Sequence, residues 1–355
     1  MLKKLLSKKV PQMIGLDIGS RAIKAVLLNL TGEQYKVQAF ACEPIIGNAF
    51  ADREIKDFDA VSNALRKVKM ALKVRGKDVV IAVSGSSVLT KVVYMDPDQS
   101  DYELEQQIEI EADSLIPHPL EDVYLDFEEL GPSKSHEGKV EVLLSAAHKD
   151  IIDQRITLIR ELEFEPKIMD IENYALANAA IALIPEAQEN KVMCVNVGAN
   201  QLQVVVVHQD KVIYQKEHMF GVDSLIQDLC IVLGQDRTET EQQLLKGTLP
   251  ATWRENNYPI FLANLQQHLS RAIQMYVSST HQERPGSVYL AGGAANIPGI
   301  AKDLESELAM PIQVFNPFAN FLVDEKVDAK QLDASAPQLA IATGLALRSN
   351  SPWHI

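Results

Sequence analysis

Cysteine is scarce and scattered in this chain. Cys42, Cys194 and Cys230 are its three, spread over 355 residues with no C-x-x-C pair. That spacing excludes a disulfide framework and a dithiol redox motif, and it reads as reduced core thiols of a cytoplasmic protein. Positive charge is also short, since 34 Lys and Arg stand against 48 Asp and Glu for a net charge of −14. Broad nucleic-acid binding needs a basic face and is excluded. The eight histidines lack metal-ligand spacing such as H-E-x-x-H. No G-x-S-x-G elbow is present, and Ser84-Gly85-Ser86-Ser87 reads as a loop. No apolar run reaches the roughly 18–20 residues of a membrane-spanning helix. The start of the chain, Met1 to Val10, is basic and amphipathic but has no long apolar core or cleavage site. It reads as a solvated tail and not as a secretory signal.

What the chain does have is a hairpin that it writes twice. Met13-Ile14-Gly15-Leu16-Asp17-Ile18-Gly19-Ser20-Arg21-Ala22-Ile23-Lys24 recurs as Met193-Cys194-Val195-Asn196-Val197-Gly198-Ala199-Asn200-Gln201-Leu202-Gln203. In each copy an apolar strand reaches Asp or Asn, turns at Gly, and returns as a second apolar strand. Glycine at such a tip lets backbone N–H groups approach a phosphate with no Cβ in the way, and successive N–H groups in one concavity bind anions. Gly19, Ser20 and Arg21 form the first tip, and Gly198, Ala199, Asn200 and Gln201 the second. Lys24 on the returning strand can reach phosphate oxygens. Asp17 stands where a phosphate-borne Mg²⁺ wants a hard oxygen ligand through water. A third element, Val288 to Ala291, runs into Gly292, Gly293 and Ala294, where small residues admit a flat ring before Pro298-Gly299 turns into a helix.

These elements in this order resemble the actin, heat-shock-protein-70 and sugar-kinase superfold, with its two phosphate loops and its adenosine loop. The connecting helices of that superfold are similar to Asp170–Ala177 and Pro337–Leu345. Lys246, after an acidic helix, matches the lysine flanking the adenine. Nearly the whole chain resembles the PilM family of type IV pilus assembly proteins, relatives of the division protein FtsA. The segments that carry this likeness are Tyr35–Phe40, Glu103–Pro117 and Asn316–Ala319. The resemblance implies an α/β, two-lobed actin-like fold, ribonuclease-H-like and duplicated, with an inserted FtsA-like small subdomain. It implies ATP and Mg²⁺ binding and docking onto the cytoplasmic tail of a PilN-type inner-membrane protein. It further implies a cytoplasmic adaptor at the inner face of the inner membrane that links the alignment complex to the pilus motors of twitching motility.

One departure bears on turnover. The family carries aspartate where this chain has Asn196, which keeps the hydrogen-bonding shape but removes the charge. A charged metal or water ligand worth about 2–4 kcal/mol in the transition state corresponds to a roughly 30- to 1000-fold slower reaction, so ATP binding with slow or absent hydrolysis is expected. Glu172 matches the position from which relatives orient the attacking water; read without the family, it is a solvated carboxylate favoured by a helix start.

The segments divide as a basic tail (1–12), a first actin-like lobe (13–83 and 156–190), an inserted subdomain (84–155) and a second lobe (191–355). In the insert, Ser100 with Glu103 predicts a capping box for a helix from Asp101 to Leu115. Its acids Glu103, Glu105, Glu109, Glu111 and Asp113 form a solvated face or a surface for a basic peptide. Other functions of the same superfold are a small-molecule kinase, which needs a base such as Asp170, and an FtsA-like filament former on a membrane. A further alternative is a vestigial nucleotide site beside a working peptide groove.

Overall fold

A computed structural model describes residues 12–350 apart from 33, 52 and 53, so the basic tail read over 1–12 lies outside the described residues except for Gln12. The chain forms two compact units, one made of the chain up to Ala82 together with Leu162 onward, the other of Val83–Glu161.

The first unit opens with strands β1 (Ile14–Ile18), β2 (Ala22–Thr31) and β3 (Gln34–Pro44), a short hairpin of β4 (Phe50–Ala51) and β5 (Glu54–Ile55), helix α1 (Phe58–Leu72) and strand β6 (Asp78–Val83). Helix α1 forms because Val61, Ala64, Leu65, Val68 and Leu72 recur at helical spacing and are all buried. Asp57 caps its start through Ala60 N.

The second unit contains β7 (Val88–Met95), α2 (Asp101–Leu115), β8 (Val123–Pro132), β9 (Val140–His148) and α3 (Lys149–Glu161). Its strands pair in the order β7-β9-β8. Val93, Met95, Val142 and Leu144 of the sheet bury against Ile108 and Ala112 of α2. The capping box is present: Ser100 Oγ accepts from Glu103 N, and the Glu103 carboxylate accepts from Ser100 N. Glu103, Glu105, Glu109, Glu111 and Asp113 of α2 are exposed. The boundary expected at residues 155–156 falls inside α3, which is one continuous helix and belongs wholly to this unit.

The chain then returns to the first unit with β10 (Glu165–Ile171), α4 (Glu172–Leu183), β11 (Val192–Val197), β12 (Leu202–His208) and β13 (Lys211–His218). The helical region that follows is made of four helices, α5 (Asp223–Leu233), α6 (Arg237–Lys246), α7 (Thr252–Asn256) and α8 (Tyr258–Thr280). Gly234 and Gly247, with φ of 65° and 66°, break that region by adopting the left-handed conformation at two helix ends. Next come β14 (Ser287–Ala291), α9 (Ile300–Leu308), β15 (Ile312–Val314), β16 (Leu322–Val323), α10 (Ala329–Ser335) and α11 (Ala340–Leu347).

The duplication in the sequence is a duplication of topology. One sheet runs β10-β6-β1-β2-β3-β16 and the other β13-β12-β11-β14-β15. In both, the first hairpin is antiparallel (β1 with β2, β11 with β12), and its leading strand pairs in parallel with a later strand (β6 or β14).

Helices α4 and α11 join these sheets. Residues of α4 (Ala175 to Ala180), of α11 (Ala340, Ile341, Leu345) and of both sheets (Val80, Cys194, Val205) share one buried core. The packing is backbone against backbone. A Cβ on Gly15 of β1 would stand 2.0 Å from Ala342 O, and one on Gly344 of α11 would stand 1.8 Å from Ala175 O. The helices start later than the sequence suggests: Asp170 and Ile171 end strand β10, and Pro337–Leu339 lie in a 3₁₀ turn ahead of α11. Proline near the front of that turn lacks the N–H a longer helix would use.

Gly344→Ala is expected to cost more than about 3 kcal/mol or to prevent folding, because backbone would have to move. Gly76→Ala, where a Cβ meets nothing within 4 Å, should stay within about 0.5 kcal/mol of the wild type in urea unfolding. Ser100→Ala should lower the opening free energy of the α2 amides by about 1 kcal/mol, read by hydrogen exchange on the full chain.

Candidate functional site

The two hairpin tips are built alike. Gly19 N donates to Ala22 O at 3.2 Å, and Gly198 N donates to Gln201 O at 2.8 Å. The strand register repeats too: Asp17 stands opposite Lys24 in the first copy, and Asn196 opposite Gln203 in the second. The chemistry of these cross-strand pairs differs. Lys24 Nζ holds Asp17 Oδ2 in an ion pair of 3.0 Å, with Asp17 only 5% exposed. Asn196 Nδ2 instead donates to Gln203 Oε1 at 2.7 Å.

Burial pulls the Lys24 ammonium down, but the Asp17 carboxylate, with a smaller contribution from Glu172, outweighs it and holds its pKa above the ordinary lysine value. Lys24 is therefore charged at any physiological pH. Its Nζ also lies 2.8 Å, and Ala22 O 3.1 Å, from the place a Cβ on Gly19 would take, so a side chain there would displace the ammonium from Asp17. The other oxygen of Asp17, Oδ1, lies 4.0 Å from that same place, toward the tip.

Glu172, the first residue of α4, is half-buried, and its carboxylate accepts from Gln203 Nε2 at 2.7 Å. It is thus tied into the fold, which the solvated reading did not anticipate. The hydrogen bonds run from Asn196 to Gln203 to Glu172. Asn196 Oδ1 in turn lies 2.8 Å from where a Cβ on Gly292 would stand, and Val197 O lies 2.4 Å from it. Gly292 sits at φ 88°, where only glycine is comfortable, and its N–H donates to Pro337 O at 2.8 Å. A Cβ on Gly293 would meet nothing within 4 Å, and Ala294 is buried.

The structure therefore holds Asp17, Gly19 and Lys24 together at the first hairpin, and Glu172, Gln203, Asn196 and Gly292 together at the second. Ser20 is half-buried at the first tip. Lys246 is exposed and is the last residue of α6 itself, because the helix continues to the left-handed cap at Gly247. Asp170, the base a kinase would need, is half-buried, and its Oδ2 lies 3.3 Å from Arg348 Nε. Burial pushes its carboxyl up against the opposing pull of Arg348. Among the described residues no three His, Cys, Asp or Glu form a metal-binding group.

Gln203 and Asp223 escaped the sequence reading. The seven-residue interval from Asp17 to Lys24 reappears from Asn196 to Gln203 and would have found the first. Asp223, the first residue of α5, lies at the second tip, where its N–H donates to Ala199 O at 2.9 Å while Val222 N donates to Gly198 O at 3.0 Å. Gly221 allows this approach, since a Cβ on it would stand 2.0 Å from Ala199 O. The Asp223 carboxylate accepts from Arg21 Nε at 2.9 Å and pairs with Arg237. Asn200, its amide nitrogen turned to the acceptors, donates to Ala199 O at 3.2 Å and to Asp223 Oδ2 at 2.6 Å. No local pattern announces these contacts, because Arg21 and Asp223 are 202 residues apart.

The family described as "Type IV pilus assembly protein PilM" matches residues 15–350. Among solved structures, a PilM-PilN type IV pilus biogenesis complex is similar at 24% identity over 96% of this chain and 99% of that one, with a TM-score of 0.81. The ethanolamine utilization protein EutJ from Carboxydothermus hydrogenoformans is similar at 14% identity over 95% of this chain and 89% of that one, with a TM-score of 0.53. The fold is thus the two-lobed, actin-like one that the paired hairpins imply. Among the described residues no helix is long and apolar enough to cross a membrane. With a family match that runs from the first hairpin to the end of the last described helix, the chain belongs to the PilM family of type IV pilus assembly proteins.

Proposed function

We propose that the chain is a nucleotide-binding adaptor of type IV pilus assembly, in which ATP bridges the two lobes at the paired hairpins. The observation that carries this reading is that Arg21 of the first tip and Asn200 of the second meet on Asp223, while hydrogen bonds run from Asn196 through Gln203 to Glu172 and Asn196 Oδ1 lies against Gly292. Gly19 and Gly198 spend their N–H groups on closing the turns. The tip residues Ser20, Arg21, Ala199 and Asn200 are then the ones that phosphates meet, with Lys24 as the charged partner. The open space in front of Gly293 suits the nucleoside end. No protein cage for a metal is apparent among the described residues, which suits a Mg²⁺ carried in by the phosphates and met by Asp17 through water.

Slow or absent hydrolysis is part of this proposal, and the hydrogen-bond series gives it a physical basis. Gln203 uses its oxygen for Asn196 and its nitrogen for Glu172. A carboxylate at 196 would face the Gln203 oxygen and repel it, and would compete with Glu172 for the Gln203 NH2 group. The family and the likeness to a PilM-PilN complex support a PilN-type tail as partner. On this reading the protein sits in the cytoplasm at the inner membrane and passes contact on to the pilus motors.

Two measurements test the proposal. Gly293→Val fills space that no protein atom occupies, so it should leave the melting temperature within about 2 °C while weakening ATP binding by more than about tenfold. Unchanged ATP affinity in this folded variant would remove the site. Asn196→Asp alone should raise ATP turnover by less than about tenfold, because Gln203 still offers one amide; a gain near the roughly 1000-fold worth of a fully restored ligand would refute the role given to Gln203.

A further inference from the structure

Arg21 and Asn200 come from different lobes, yet both donate to one oxygen of one carboxylate. Arg21 reaches Asp223 Oδ2 through Nε at 2.9 Å and its second terminal nitrogen at 2.8 Å. Asn200 reaches the same oxygen at 2.6 Å. The tips of both hairpins are therefore held on a single negative oxygen, which is the arrangement a bridging phosphate oxygen would adopt between them. The rest of the guanidinium is committed as well, since its first terminal nitrogen donates to Gly47 O at 2.9 Å and to Asn48 Oδ1 at 2.7 Å. Asp223 cannot swing away. Its N–H is bound to Ala199 O, and its other oxygen pairs with Arg237, whose Nε also pairs with Glu241 Oε1 at 2.6 Å.

We propose that Asp223 is a built-in competitor for phosphate, and that a nucleoside di- or triphosphate binds by taking Arg21 and Asn200 over from it. This rests on the nucleotide site proposed above and adds how that site is controlled. A phosphate arriving at the tips meets a fixed carboxylate as well as the donors it needs, and like charges at this range oppose each other. Between binding events the same carboxylate keeps the two lobes tethered, so lobe contact and nucleotide affinity are set by one residue. Arg237 neutralises part of the Asp223 charge and so tunes how tightly Asp223 holds Arg21.

Isothermal titration of the full chain with ADP, inorganic tripolyphosphate and adenosine separates the phosphate contribution from that of the base. Asp223→Asn should tighten ADP and tripolyphosphate by at least about fivefold and leave adenosine unchanged. Adding Arg21→Met should cancel that gain. In the absence of ligand, amide exchange at residues 19–22 and 198–201 should quicken in Asp223→Asn. Unchanged or weakened ADP binding in folded Asp223→Asn would overturn the competitor role while leaving the nucleotide site standing. Failure of all three ligands to bind both wild type and variant would instead overturn the site, and the competitor with it. If Asp223→Asn does not fold, Arg237→Met supplies the opposite sign: with Asp223 less neutralised, ADP should weaken by at least about threefold, and no change or a gain would refute the proposal.

Discussion

The constraint on which the molecule depends is the close approach of α11 to β1 on one side and to α4 on the other. Gly15 and Gly344 have no side chains, so backbone meets backbone at both crossings. Alanines 175, 177, 179, 180 and 340 complete the contact and are fully buried. Such packing has little give, because protein interiors are dense and a displaced backbone has no alternative rotamer. It fixes the two sheets relative to one another through their connecting helices. It also fixes the candidate site, because the chain leads into both helices there. Glu172 begins α4 and reaches Gln203, and Pro337, just before α11, accepts the N–H of Gly292.

The duplicated hairpin shows one frame carrying two chemistries. The first copy places an ion pair, Asp17 with Lys24, across the strands; the second places two amides, Asn196 with Gln203, at the same register. An ion pair so little exposed is tolerated because each partner answers the other, whereas either alone would be costly. Two amides need no such answer, and they can relay direction: Asn196 gives to Gln203 and Gln203 gives to Glu172. The cross-strand pair is thus charged in the first hairpin and polar but neutral in the second, where Glu172 accepts from Gln203.

What is written locally is legible, for definite reasons. Helix α1 has its five core positions at helical spacing, and α2 has its capping box written in Ser100 and Glu103. Elements that depend on neighbours were less legible. Strand β10 claims Asp170 and Ile171, which read as helix on their own, because they extend a strand at the end of a sheet. Strand β16 is a two-residue edge, Leu322 and Val323, that exists only because β3 offers it a partner. The breaks at Gly234 and Gly247 were visible as glycines, but a lone glycine in a long helical pattern does not say whether the helix tolerates it or stops there.

By itself the sequence determined the architecture. Two valine-rich hairpins with glycine tips, each followed by a later strand, admit few arrangements other than two lobes of the same topology, since strand pairing and apolar alternation are local and periodic. The tertiary structure decided who speaks to whom at the tips. That Glu172 is bound to Gln203, and that Arg21 meets Asp223, are matters of distances between residues far apart in the chain. Hydrogen bonds reach only about 3 Å, so such partnerships are settled only when the packing of α4 and α11 has brought the two halves together.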